Sequence, residues 1–175
     1  MKKTVITYGL ISGILASLLM DSWILLKKDA DFDKGLIIGY VSLVISFALV
    51  FFGIRSYREN VLNGTITFGQ AFKAGLLITL ISSLCYVLTW QIVYYNFVPD
   101  YMDKYNAYML DQMKAGGMSD QLLAEKAADM KHMADMYQNP LVNAAFTFLE
   151  PFPVGLVITL ISSLILKRKK LAVAQ

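Results

Sequence analysis

Four apolar segments, each long enough to cross a bilayer as an α-helix, occupy more than half of this 175-residue chain. They run over residues 4–26, 35–54, 71–95 and 142–166. The hydrocarbon core of a bilayer is about 30 Å thick, so a spanning helix needs about 20 mostly apolar residues. A soluble protein of this size could not bury four such helices. The segments therefore predict an all-α, polytopic membrane protein in which four transmembrane helices form one membrane domain over residues 1–175.

Composition agrees with a membrane protein. The chain is 57% hydrophobic and 17% charged, whereas soluble domains carry about 25% charged residues. The first apolar run follows Lys2 and Lys3, as in a secretory signal, but it is about 23 residues long, against about 7–15 for the apolar core of a signal peptide. We expect it to be a retained first span.

The distribution of charge predicts the orientation of the spans. Basic residues near span ends mark the cytoplasmic side. The N-terminus, the loop over residues 55–70 with the start of span three, and the C-terminal tail carry the basic residues Lys2, Lys3, Arg55, Arg58, Lys73, Lys167, Arg168, Lys169 and Lys170. Residues 27–34 and 96–139 hold more acids than bases. Both termini are therefore expected in the cytoplasm, with segment 96–139 outside.

Segment 96–139 is expected to fold as an extracytoplasmic helical hairpin inserted between spans three and four. Its helices would run over Pro99–Ala115 and Asp120–Gln138, because Gly116 and Gly117 break the helical pattern between them. Tyr and Trp residues cluster near the same ends of spans one and three, where aromatic side chains commonly anchor a span in the headgroup region. The predicted anchors are Trp23, Trp90, Tyr94, Tyr95 and Tyr101.

Small residues recur four apart in every span, which predicts close helix packing, since hydrophobicity alone does not hold helices together in lipid. The stripes are Gly9, Gly13 and Ser17 in span one; Gly35 and Gly39 in span two; Ala71, Gly75, Thr79 and Ser83 in span three; and Gly155, Thr159 and Ser163 in span four. The sequence GLLITLISSL at 75–84 recurs as GLVITLISSL at 155–164. We expect antiparallel copies that serve packing; homodimerisation through one stripe and a transporter-like inverted repeat are the alternatives.

Several features together resemble a family of small bacterial four-span membrane proteins that is classed only as a domain of unknown function. They are the Gly-rich first span, the stretches 53–58 (GIRSYR) and 64–72 (GTITFGQAF), the long acidic segment before the last span, and its Pro/Gly-containing entry followed by a basic tail. The resemblance implies a multi-pass protein of the bacterial inner (cytoplasmic) membrane. It implies no activity, substrate or functional residue.

Ionisable groups inside a membrane are costly and mark candidate functional sites. Asp21 lies near the outer end of span one, and Glu150 lies in span four ahead of Pro151 and Pro153, which should open or kink the helix. Gln91 of span three lies at a similar depth. We expect Asp21, Gln91 and Glu150 to form an intramembrane polar cluster, with Glu150 joining spans one and four. The alternative is that span four begins near Pro153 and both acids lie at the interface.

The second predicted hairpin helix contains Met130, His132, Met133 and Met136, residue types that suit Cu(I). His132 points about 100° away from Met133 on a helix, and flexible Met commonly fills packing gaps. A stripe of residues on this helix and a stripe of residues on the first helix would pack together: Leu123, Ala127, Met130, Ala134 and Tyr137 against Tyr101, Tyr105, Tyr108 and Met109. We therefore expect these methionines to be core residues and predict no metal site.

The functional expectation is a non-catalytic membrane protein that acts as an interaction or scaffold subunit. The alternative is a small transport or ion-conducting component that uses Asp21 and Glu150. No GxGxxG, P-loop, CxxC or HExxH pattern is present, and the one cysteine, Cys85, cannot form an internal disulfide. We therefore expect no enzymatic activity, no cofactor and no nucleic-acid partner. Membrane lipids, a second copy of the chain or another membrane protein are the expected partners.

Overall fold

The four-span, all-α fold is confirmed. The computed structural model describes residues 1–26 and 32–168. Within them, stretches long and apolar enough to cross a membrane occupy Lys2–Ser22, Phe32–Val61, Phe68–Asn96 and Pro140–Leu166. The loop of residues 27–31, the Trp23 side chain and the tail from Lys169 onward lie outside the described residues. The helices are α1 (Lys2–Leu26), α2 (Phe32–Val61), α3 (Phe68–Asn96), α4 (Tyr101–Ala115), α5 (Asp120–Tyr137), α6 (Pro140–Phe148) and α7 (Pro151–Leu166).

The spans form a bundle in which α2 and α3 contact each other, and each packs against both α1 and α7. α1 and α7 therefore lie on opposite sides of the α2–α3 pair. α1 and α3 run in the same direction, because Gly9 faces Ile81 and Gly13 faces Cys85 one turn further along both helices. We call the end of the bundle that holds the described termini and residues 62–67 the basic end, and the opposite end, which carries α4 and α5, the hairpin end.

The outer surface of the bundle is apolar. Large aliphatic side chains at least half exposed include Ile6, Ile14 and Leu18 on α1; Leu36, Ile37, Val44 and Ile45 on α2; Leu84, Leu88 and Ile92 on α3; and Val157, Ile161, Leu164 and Ile165 on α7. Soluble monomers rarely expose contiguous apolar patches larger than a few hundred Å². This belt matches the hydrocarbon region of a bilayer and agrees with four membrane spans.

The repeated ten-residue sequence forms the seam between α3 and α7. A Cβ atom on Gly75 would lie 2.8 Å from Thr159 Cγ2, and one on Gly155 would lie 2.5 Å from Thr79 Cγ2. The Thr79 and Thr159 hydroxyl oxygens are 3.0 Å apart. Each copy thus presents its glycine to the threonine of the other, so the two copies run antiparallel and pack about a local two-fold axis. The similarity of the two sequences is therefore explained by helix packing at this seam.

Span four is broken at the predicted place. α6 ends at Phe148 and α7 begins at Pro151, with Leu149 and Glu150 between them. Pro151 and Pro153 have no N–H to donate to the preceding turn, so α6 ends before them, and both lie in the first turn of α7, where proline is tolerated. The apolar span nevertheless starts at Pro140 rather than near Pro153. The break therefore lies within the span.

The basic end is held by contacts from the stretches 53–58 and 64–72. Thr67 and Gln70 form a reciprocal capping box that starts α3. Ile66 exchanges two backbone hydrogen bonds with Arg168, of 3.0 and 2.8 Å. Arg58 Nη1 donates to the carbonyl oxygen of Leu166 at 3.1 Å and so satisfies one acceptor at the end of α7. These contacts tie the α2–α3 loop to the end of span four.

Candidate functional site: an aromatic cavity at the hairpin end

The buried side chains of α3 change from small to large along the helix, and this change leaves a cavity. Near the basic end the buried positions are small, as at Gly75 and Thr79, whereas near the hairpin end they are Tyr86, Trp90 and Tyr94. Small residues let helices approach closely, and large rings hold them apart. The result is a cavity of about 380 Å³ between the hairpin and the halves of the spans nearest to it.

Glycines of span two form part of the cavity wall. Gly35 and Gly39 both line it, and a Cβ atom on Gly39 would meet no described atom within 4 Å. The prediction that this stripe receives a neighbouring helix is therefore wrong. The other stripes are covered, since Gly9, Gly13 and Gly155 each lie against side chains of another span.

The aromatic residues of span three face the protein interior. Trp90 is 5% exposed and Tyr94 is fully buried. The indole Nε1 of Trp90 donates to the Tyr137 hydroxyl at 2.8 Å, and its ring meets Tyr101 edge to face with centroids 5.2 Å apart. The prediction of interfacial anchors is wrong for Trp90 and Tyr94. The hairpin covers this end of the bundle, so these side chains contact the hairpin instead of lipid headgroups.

Contacts between α4 and the start of α2 hold the hairpin over the cavity. The ring of Phe32, the first residue of α2, contacts Tyr101, Tyr105 and Tyr108 of α4 with centroid distances of 5.9, 5.5 and 5.1 Å. The Tyr108 hydroxyl donates to Asp33 Oδ2 at 2.7 Å. α4 thus packs against the start of α2, and Phe32, Tyr101 and Tyr105 are themselves cavity-lining residues.

Glu150 reaches the cavity because of the break in span four. Its side chain is partly buried, lines the cavity and lies within interaction range of the Tyr86 hydroxyl of α3. Tyr86 is only 4% exposed. The prediction that Glu150 joins span four to span one is wrong, because Glu150 lies next to Tyr86 of span three, the helix that packs directly against α7.

Gln91 belongs to a buried polar network between α3 and α6. Its Nε2 donates to Asn143 Oδ1 at 2.9 Å and to the Pro140 carbonyl oxygen at 3.1 Å. The Thr147 hydroxyl donates to Asn143 Oδ1 at 3.4 Å and lies 3.2 Å from the Tyr137 hydroxyl. The network therefore ends on Thr147 and Tyr137, two cavity-lining residues.

Asp21 lies apart from the other two candidates. It is partly buried, is not among the residues that line the cavity, and its Oδ1 has no hydrogen-bond partner among the described residues. Of the predicted cluster, the structure places Glu150 in the cavity wall and Gln91 in the adjoining network, and it does not bring Asp21 to them.

Sequence reasoning missed four residues of this site: Tyr86, Tyr137, Asn143 and Thr147. A signal for two of them was present, since Asn143, Thr147 and Glu150 are spaced four and three apart and so share one face of span four. Tyr86 likewise continues the small-residue face of span three. Neither pattern shows which neighbouring helix these side chains reach.

Three groups near the rim of the cavity have pKa values shifted from their ordinary values. Lys104 Nζ lies 2.7 Å from Asp100 Oδ2, and the hydrogen bond from Lys104 lowers the pKa of this exposed carboxyl. Burial, with the nearby Glu150 charge adding to it, raises the pKa of Tyr101 to about 12. Burial also raises the pKa of Tyr137. Both phenols keep their protons at neutral pH.

The methionines of α5 are placed differently from one another. The predicted inner stripe is correct, since Leu123, Ala127, Met130, Ala134 and Tyr137 are all buried or partly buried. The core prediction is wrong for Met133 and Met136, which are 43% and 38% exposed because they lie off that stripe. His132 is also exposed. Among the described residues, no group of three His, Cys, Asp or Glu side chains is placed to hold a metal ion.

A family model whose description reads "Protein of unknown function (DUF4199)" matches residues 7–168. The chain belongs to this family. The match takes in the break in span four, the hairpin and the contacts at the basic end. No curated protein and no solved structure matches the chain.

Proposed function

We propose that this DUF4199 protein is a non-catalytic membrane protein that binds a small molecule in the cavity at its hairpin end. The supporting observation is the cavity itself, which lies within the range of about 300–1,000 Å³ usual for ligand pockets and combines apolar walls with a few placed polar groups. This proposal narrows the interaction role expected from the sequence to a small-molecule partner.

The cavity chemistry favours binding over reaction. Its carboxylate, Glu150, is engaged by the phenol of Tyr86, and the indole of Trp90 is engaged by the phenol of Tyr137. The Tyr137 hydroxyl is held by its bond from Trp90 and keeps its proton, because burial raises its pKa. Such groups orient a ligand.

Transport through the bundle receives less support than binding. Toward the basic end the helices pack closely, since a Cβ atom on Gly75 or Gly155 would lie less than 3 Å from side-chain atoms of another span. The buried hydroxyl of Ser82 donates to the hydroxyl of Ser12 at 3.0 Å. A solute in the cavity can therefore leave at the hairpin end, whereas the closely packed helices block its path toward the basic end. A dimer through the covered glycines would require the bundle to open.

For orientation, we propose that both termini lie in the cytoplasm of a bacterial cell and that the cavity opens on the outer side of the inner membrane. The basic end carries Lys2, Lys3, Arg55 and Lys73, as cytoplasmic ends do. The ligand would then come from outside the cytoplasm or from the outer leaflet.

The binding proposal is tested by filling the cavity. Gly39→Leu adds a side chain where open space lies in the cavity wall, and Gly69→Leu makes the same change at an open, exposed position outside it. The probes are choline, its neutral isostere 3,3-dimethyl-1-butanol and the anion 3,3-dimethylbutanoate. At least one probe should raise the melting temperature of the wild type and of Gly69→Leu but not of Gly39→Leu. No shift from any probe, or equal shifts in both variants, would contradict the proposal.

A further inference from the structure

We propose that the ligand of this cavity is a small organic cation bearing an ammonium group, held by the Glu150 carboxylate and by the surrounding aromatic rings. The inference rests on the proposed binding function and names the chemical class of its ligand. It is carried by the charge, the aromatic lining and the size of the cavity.

Among the described residues of the cavity wall, one acidic side chain has no basic side chain as its partner. The charged side chains among the described lining residues are Asp100, Lys104 and Glu150. Asp100 and Lys104 pair with each other at the exposed rim, whereas the partner of Glu150 is the neutral Tyr86 hydroxyl. A carboxylate withdrawn from water gains most from a positive charge brought close to it. A cationic ligand supplies that charge.

Aromatic rings line the same cavity as this carboxylate. The lining includes Phe32, Tyr40, Tyr86, Trp90, Tyr101, Tyr105 and Tyr137. Ring faces carry a negative electrostatic potential, and they attract ammonium groups most strongly where water is excluded. Cages of such rings are a general means of binding quaternary ammonium. A neutral molecule of the same shape lacks this electrostatic attraction, and an anion is repelled by the acid.

The size of the cavity limits the ligand. About 380 Å³ is near the lower end for ligand pockets. It suits an ammonium head with a few attached carbons. The exposed rim at Asp100 and Lys104, whose side chains are 54% and 64% exposed, leads to the solvent, and Leu36 and Ile38 of the wall lie on the apolar surface of span two. The ammonium group therefore has two sources, a dissolved amine or a lipid headgroup.

The test uses the full chain in nanodiscs of phosphatidylglycerol, a lipid without an ammonium group. Trp23→Phe leaves Trp90 as the one tryptophan, so its fluorescence reports the cavity. Choline should bind at least about tenfold more tightly than 3,3-dimethyl-1-butanol, which has the same shape and no charge. Glu150→Gln should reduce choline affinity by about tenfold or more and leave the alcohol unchanged.

Two matched controls accompany this measurement. Asp21→Asn removes a carboxylate of the same membrane half that does not line the cavity, so it should leave choline affinity unchanged. Tyr101→Phe keeps the ring and should bind choline as the parent does, whereas Tyr101→Leu removes the ring and should bind it several-fold more weakly. Retained binding of the neutral alcohol in Glu150→Gln shows that the variant is folded.

Failure of the inference and failure of the binding function give different results. Equal affinity for choline and the alcohol, or no effect of Glu150→Gln, overturns the cation and leaves the binding function standing. Absence of both ligands from the cavity overturns both. Repeating the titration in phosphatidylcholine nanodiscs identifies the source: a lowered apparent affinity for choline indicates a lipid headgroup, and an unchanged affinity indicates a dissolved amine.

Discussion

At the scale of single residues, Glu150 shows how a sequence signal and its structural meaning differ. A carboxylate beside two prolines inside an apolar span marks a site, because such groups are costly in hydrocarbon. The partner of the carboxylate cannot be read in the same way. Tyr86 is one of ten tyrosines in the chain, and only the packing of α3 against α7 brings its hydroxyl to Glu150. Asp21 is also an acid inside an apolar span, but it does not line the cavity.

A hydrogen bond from the Tyr86 hydroxyl to Glu150 predicts an order of stabilities. Glu150→Gln keeps an acceptor for the Tyr86 hydroxyl, whereas Glu150→Leu leaves that buried hydroxyl unpaired at a cost of about 1–3 kcal/mol. Glu150→Leu should therefore melt at a lower temperature in detergent than Glu150→Gln. Adding Tyr86→Phe to Glu150→Leu should recover part of the loss. Equal melting temperatures for the Gln and Leu variants would show that no such bond is made.

At the scale of helices, the small-residue stripes divide into covered and open ones. A Cβ atom on Gly13 would lie 2.6 Å from Cys85 Cβ and 3.1 Å from the Ser82 carbonyl oxygen, both fixed to the α3 backbone. Gly39 has open space at the same position. The sequence pattern is the same in both, because spacing reports a stripe but does not report what faces it.

This difference predicts opposite effects of one substitution. Gly13→Ala should destabilise the bundle by about 1–3 kcal/mol, since it overpacks the α1–α3 seam. Gly39→Ala should be neutral or stabilising, because alanine is a better helix former than glycine by about 1 kcal/mol. Unfolding by SDS in mixed micelles measures both. A Gly13→Ala protein as stable as Gly39→Ala would contradict the packing described for α1 and α3.

The hairpin helix α5 gives the prediction about copper. Met130 lies on the inner stripe, whereas His132, Met133 and Met136 are exposed, so the four side chains do not converge on one point. We expect weak or no Cu(I) binding in competition with a chelator. Met130→Leu should cost less than about 1.5 kcal/mol, as volume-conserving swaps do. Stoichiometric, tight Cu(I) binding that disappears in Met→Leu variants would assign the outer helix to metal handling instead.

At the scale of the whole molecule, apolar length and small-residue spacing were enough to predict four spans, and the two proline positions were enough to predict the break in span four. The order of the spans around the bundle was not predictable, because each presents an apolar surface to lipid and to its neighbours alike. The cavity depends on that order. Trp90 and Tyr94 show the consequence: their position suits a lipid interface, and only the folded hairpin makes them interior residues.

The central claim is that the cavity end of a four-span bundle faces away from the cytoplasm. In a Cys85→Ala background, Ala115→Cys places a thiol at the exposed end of α4, and Asn60→Cys places one near the exposed basic end of α2. A membrane-impermeant maleimide should label position 115 in intact cells and position 60 only after lysis. Labelling of position 60 in intact cells, with position 115 protected until lysis, would contradict the account.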